Sequence, residues 1–148
     1  MSAMEIALEE ARAAARRGEV PVGAVVLAAD GSVLARAGNR VEETDAAAHA
    51  ELLALTAAAR KLGESRLAGC DLVVTLEPCP MCAAAASLFR IRRLVFGAYD
   101  PKGGGVEHGP RIFSSTSCNH RPEIIAGVRE ADCAALLKDF FAALRPGP

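Results

Sequence analysis

Leu72-Val73-Val74-Thr75-Leu76-Glu77-Pro78-Cys79-Pro80-Met81-Cys82 joins two patterns that decide the architecture. Residues 72–76 are apolar or β-branched and read as a short buried strand. Pro80 then stands where proline is tolerated, in the first turn of a helix, and the Ala-rich run 81–89 continues that helix. The turn between them carries Cys79 and Cys82 with two residues between, a spacing suited to metal ligation.

Working outward, the same alternation recurs. Residues 4–17 predict an amphipathic helix with Met4, Ala7, Leu8, Ala11 and Ala15 on one side and Gly18 as a stop. Residues 22–29 and 32–37 read as two strands joined at Asp30-Gly31, a hairpin signal. A helix over 49–62 ends at Gly63, and a further strand covers 94–97. The segment 100–122 is irregular and glycine-rich, and a loop that long in a small domain is usually functional. The chain closes with a strand at 123–126 and a helix at 130–144, with Leu136, Leu137, Phe140, Phe141 and Leu144 as its apolar stripe. The expected fold is α/β: a three-layer α/β/α sandwich around a mixed five-stranded sheet, with the hairpin as its antiparallel part.

Length and composition fit one domain spanning 1–148, with 51% hydrophobic and 24% charged residues. The N-terminal helix carries Glu5, Glu9 and Glu10, unlike a signal or import peptide, and no apolar run approaches a membrane span. A cytoplasmic protein with no membrane association is expected. The five cysteines are an odd set, which argues against a disulfide framework. Cys70, Cys118 and Cys133 lack ligand spacing and read as buried or incidental thiols. A net charge of -1 gives no global pull on nucleic acid, although residues 90–111 hold five basic residues against two acids.

The thiols gain a partner in His49-Ala50-Glu51. His49, Cys79 and Cys82 form a three-ligand set for Zn2+, with a fourth position left open for water, as catalytic zinc requires. A structural zinc site would be closed by a fourth ligand, and no other residue has the spacing to supply one. A redox Cys-x-x-Cys would leave His49 and Glu51 without a purpose. Both ligand groups fall at helix starts, where free N–H groups and the helix dipole favour thiolates. Glu51 lies two positions beyond His49, turned away from the same ion, and reads as the catalytic proton shuttle.

H-x-E followed by P-C-x-x-C resembles the zinc deaminases, a superfamily whose mechanism is already known. The flanking matches are narrower. Gly18-Glu19-Val20-Pro21-Val22-Gly23-Ala24, Asn39, residues 45–51 and 75–82, Val95-Phe96-Gly97-Ala98, Asn119-His120-Arg121 and residues 133–141 resemble the bacterial tRNA-specific adenosine deaminases of the cytidine deaminase-like fold.

That resemblance implies hydrolytic deamination of adenosine to inosine at the wobble position of tRNA anticodons. The tRNA anticodon loop would be the partner, Asn39 a substrate-binding residue, and a homodimer the assembly. Ala46 and Ala84 stand where the family often has proline and glycine, both mild changes. The family's basic C-terminal extension has little counterpart in Arg145-Pro146-Gly147-Pro148. The 90–111 surplus and Phe140 or Phe141 are the candidates to take its place, against the plainer reading that these side chains are core or solvated surface. Two other readings stay open: a deaminase of a free base or nucleoside of the guanine or cytosine type, and a noncatalytic zinc-bearing RNA-binding subunit. Glu51 argues against the latter.

Overall fold

The computed structural model describes residues 1–144; the Arg145-Pro146-Gly147-Pro148 tail lies outside them. Ser2 caps the first helix, its Oγ accepting from Glu5 N at 3.1 Å, and α1 runs Ala3–Arg16. The remaining elements are β1 (Gly23–Leu27), β2 (Val33–Gly38), α2 (Ala50–Leu62), β3 (Asp71–Leu76), α3 (Pro80–Leu88), β4 (Arg93–Ala98), β5 (Glu123–Ile125) and α4 (Glu130–Leu144). The loop after β4 contains one short 3-10 turn, Ile112–Ser114.

The sheet order is β2-β1-β3-β4-β5. β1 pairs antiparallel with both β2 and β3, while β3, β4 and β5 run parallel. This is the expected mixed five-stranded sheet. Alternating side chains divide between two layers. Ala24, Val26, Leu72, Val74, Leu94 and Phe96 pack with α2 and α3 on one face. Val25, Val73 and Ala98 pack with Met4, Leu8 and Cys133 of α1 and α4 on the other. The parallel β3–β4 pair therefore lies inside three layers, as its continuous apolar sequence required.

Two details differ from the sequence expectation. The buried stripe of α1 is Met4, Ala7, Leu8, Ala11 and Ala14, so the repeat closes on Ala14 where Ala15 was expected. In α4 only Cys133 is buried. Phe141 and Leu144 stand 47% and 65% exposed, so the outer half of the apolar stripe is not core, while Leu136 and Leu137 pack against the core. The cause is where α4 docks: its first turn sits on Gly97, whose missing side chain admits Cys133 Sγ, and its last turns overhang a cleft.

α1 rests on the hairpin through a cross-strand glycine pair, Gly23 opposite Gly38. A methyl on Gly23 would strike Ala7 O and come within 2.6 Å of Ala11 N; one on Gly38 would come within 2.7 Å of Glu10 O. Gly23→Ala should therefore destabilise the fold by about 1–3 kcal/mol, the usual cost of overpacking. A urea midpoint equal to the parent's would show that α1 is not seated this closely.

Candidate active site

His49 is the N-cap of α2 and Cys79 the N-cap of α3, both in extended backbone, so the two helix starts face each other. Neither side chain turns back to cap its own helix. They turn toward each other: Cys79 Sγ and Cys82 Sγ lie 3.5 and 3.6 Å from His49 Nδ1. The three donor atoms lie within 4.8 Å of one another, and Glu51 is not part of the group. A tetrahedral zinc ion with bonds of about 2.3 Å to sulfur and about 2.0–2.1 Å to nitrogen separates those atoms by about 3.5 Å. The donor set and its spacing fit zinc.

The local field suits a deprotonated sulfur at Cys79. Cys79 is pushed down to about 4, chiefly by a hydrogen bond from Cys82 and also by His49, against the opposing effect of burial. Cys82 is pushed up by that same pairing, by burial and by the Glu51 charge. His49 is raised by its bond to Cys79. Three groups holding protons between them are a set that a divalent cation would deprotonate together. Glu51, in the first turn of α2, is 4% exposed; burial is the main force that pushes its carboxyl up to about 7.

These residues open onto a cleft of about 380 Å³. Its walls include Glu19, Val20, Asn39, Asp100, Phe140 and Phe141, with His49, Glu51, Glu77 and Cys79 at its base and side. Asn39 is buried, and its Oδ1 accepts from Ala50 N at 2.8 Å. It thus supplies the helix cap that His49 does not, and leaves its amide N–H groups as free donors at the cleft. That capping role was not visible in the sequence.

Two carboxylates were also missed. Glu19 is 3% exposed and accepts from Glu42 N and Glu43 N at 3.1 and 3.2 Å, fixing the turn between Asn39 and His49. Glu77 gathers backbone donors from the loop after β4. The sequence signal for Glu77 was an acid wedged between a buried strand and a ligand, with no ligand role of its own.

The basic stretch is partly paired within the fold. Arg92 forms a two-pronged pair with Asp71 at 3.0 and 2.9 Å, and Arg93 pairs with Glu123 at 3.1 Å. The basic surplus therefore reduces to Arg90, Lys102 and Arg111, which have no carboxylate partner among the described residues. The 100–122 loop is also tied to the rest of the fold. His120 Nε2 donates to Ile91 O at 2.7 Å, and Ser87 Oγ donates to His120 O at 2.7 Å.

Residues 1–98 match the family described as the cytidine and deoxycytidylate deaminase zinc-binding region, and the chain belongs to that family of deaminases. Within it the chain groups with the tRNA-specific adenosine deaminases. The enzyme of that name from Agrobacterium fabrum is 55% identical over 139 residues, spanning 93% of this chain and 91% of the relative. A solved structure from a study of A-to-I editing by tRNA deaminases at the wobble position of transfer RNA superposes with a TM-score of 0.89. It is 54% identical and covers 91% of this chain and 98% of that one. Guanine deaminase from Nitrosomonas europaea is more distant, at 28% identity and TM-score 0.81 over 95% of this chain and 83% of that one.

Because Asn39 caps α2, Asn39→Ala should cost about 1 kcal/mol of stability in addition to any effect on substrate. Denaturant melts of the variant check this; an unchanged midpoint would free Asn39 from the structural role.

Proposed function

We propose that this chain is a zinc-dependent hydrolase that converts adenosine to inosine at the wobble position of tRNA anticodons. The observation that carries the reading is the His49–Cys79–Cys82 cluster beside the buried Glu51, at the base of a cleft. It occurs on a chain 55% identical to a tRNA-specific adenosine deaminase. His49, Cys79 and Cys82 would hold Zn2+. When bound, zinc supplies a Lewis acid that lowers the pKa of water at the open position.

The protein's own residues do the rest. Glu51 takes a proton from the attacking water and passes it to the purine ring nitrogen. It then takes the proton of the new C6 hydroxyl and gives it to the amino group, which leaves as ammonia as the C6 carbonyl forms. Burial keeps its carboxyl able to do both. The free amide N–H of Asn39 donates to an acceptor on the base edge, since its oxygen is committed to Ala50. An anticodon loop suits the cleft because its unpaired bases splay out at lower cost than bases in a duplex. Phe140 and Phe141, edge-to-face at 5.5 Å on the cleft rim, offer apolar surface to neighbouring bases.

The whole chain acts as one catalytic domain in this reading. Among the described residues no helix is long and apolar enough to cross a membrane, and work on tRNA is consistent with the cytoplasm. We also propose a homodimer. On α3, Met81 and Leu88 are 40% and 72% exposed, with Ala84 between them on the same face. A second copy covering that face would remove it from water. Sedimentation should read a dimer for the parent and a monomer for Leu88→Arg; a monomeric parent would reject the assembly.

The decisive assay offers the zinc-loaded protein an anticodon stem-loop with a wobble adenosine, alongside free guanine, adenosine and cytosine. Inosine should form in the stem-loop; turnover confined to guanine or cytosine would support the free-base reading. Glu51→Ala should keep one zinc per chain yet lose at least about 100-fold in turnover, the scale of general acid–base catalysis. Near-normal turnover would remove Glu51 from that role.

A further inference from the structure

We propose that Glu77 is a positioning residue that clamps the 100–108 segment to the Cys79 loop and so sets the wall of the cleft against which the RNA docks. Its side chain is fully buried. A carboxylate in that position is costly unless its lone pairs are filled. Here five donors fill them. Oε1 accepts from Asp100 N at 3.0 Å and lies 2.8 Å from His108 Nδ1. Oε2 accepts from three successive backbone N–H groups, Val106 at 3.2 Å, Glu107 at 2.9 Å and His108 at 3.1 Å.

All five donors belong to a segment with no strand or helix of its own, and all converge on a residue two positions before Cys79. The backbone reinforces the link. Glu77 N donates to Ala98 O at 2.8 Å, and Gly105 N donates to Pro78 O at 2.8 Å. Two glycines make the approach possible. A methyl on Gly104 would run into Glu77 Oε2, and one on Gly105 would come within 2.6 Å of Pro80 N. The His108 ring meets the edge of Tyr99 at 6.1 Å, and Tyr99 meets Phe96 at 5.3 Å, so the far end of the segment is anchored in the core.

Glu77 itself is no member of the metal-donor group. Its effect is to make the ligand loop and the Asp100 wall of the cleft a single body. The functional half of this inference rests on the tRNA deaminase reading above; the clamp itself does not.

Two variants test it from opposite sides in the full-length, zinc-loaded protein. Glu77→Gln keeps the shape but turns an amide N–H2 toward backbone donors. Gly104→Ala leaves Glu77 intact and pushes the segment away from it. Both should retain one zinc per chain. Amide hydrogen exchange at Val106, Glu107 and His108 should quicken by about tenfold or more, the scale of losing one of these bonds. KM for the anticodon stem-loop should rise by about tenfold, with a smaller change in kcat.

Unchanged exchange in both variants overturns the clamp. Faster exchange with unchanged KM overturns the positioning role. Zinc loss in Glu77→Gln with a normal Gly104→Ala would place Glu77 in service of the metal and overturn it as well. Should Glu77→Gln not fold, Gly104→Ala decides by the same readings. If the parent makes no inosine, the tRNA reading fails, and the exchange measurement still decides the clamp alone.

Discussion

Two helix starts must meet within bonding distance of one point, and the rest of the structure follows from that constraint. His49 and Cys79 occupy the N-cap positions of α2 and α3, with Nδ1 and Sγ 3.5 Å apart. An N-cap side chain normally returns to satisfy its own helix's free N–H groups. These two cannot, because they point at each other. The deficit is met from elsewhere. Asn39 accepts the first N–H of α2, and Pro80 at the first position of α3 has no N–H to satisfy. The start of α3 favours a thiolate at Cys79, whose Sγ also gains from the Cys82 backbone N–H.

Bringing two helices to one point also limits what can lie between them and the sheet. The buried face of α2 is Ala50, Ala54, Leu55, Ala58 and Ala59, and that of α3 includes Ala83, Ala85 and Ala86. Alanine contributes little transfer energy by itself. Its value is close approach without side-chain ordering. The larger share of apolar stabilisation comes from Leu55, Leu67, Leu72, Ile91, Leu94 and Phe96, all fully buried, at about 1.5–3 kcal/mol for each. β3, buried on both faces, delivers Pro78 and Cys79 directly from its end, so placement of the Cys79 loop inherits the rigidity of the central strand.

The elements that the sequence announced were those whose signals are local. Periodicity, Gly63 as a helix stop and Asp30-Gly31 as a turn placed strands and helices within a residue or two of where they stand. The His49, Cys79 and Cys82 cluster was legible for the same reason, since donor chemistry and spacing are properties of the chain alone. What escaped depends on partners distant in sequence. The α4 stripe has ideal spacing, yet Phe141 and Leu144 stay exposed because Gly97 draws Cys133 inward and leaves the last turns beyond the core. Arg92 and Arg93 looked like free cations until β3 and β5 brought Asp71 and Glu123 beside them. Asn39 was marked for the substrate, whereas its link to Ala50 needs the folded loop.

Three buried carboxylates share one neighbourhood, and the hydrogen bonds they receive separate their tasks. Glu19 accepts from two backbone N–H groups of the 39–49 turn, and Glu77 accepts from the backbone and ring of the 100–108 segment. For Glu77, these bonds to the ionised form outweigh the cost of burial and hold its carboxyl below the usual range. Such a group has no reason to exchange protons; its charge is committed to holding a loop. Glu51 receives no donor from either loop. Burial therefore dominates and its carboxyl rises to about 7, where gaining and losing a proton are balanced. One residue type thus serves two purposes within a single cleft. The distinction is set by how many backbone N–H groups the fold aims at each oxygen, which the identity of the side chain alone does not reveal.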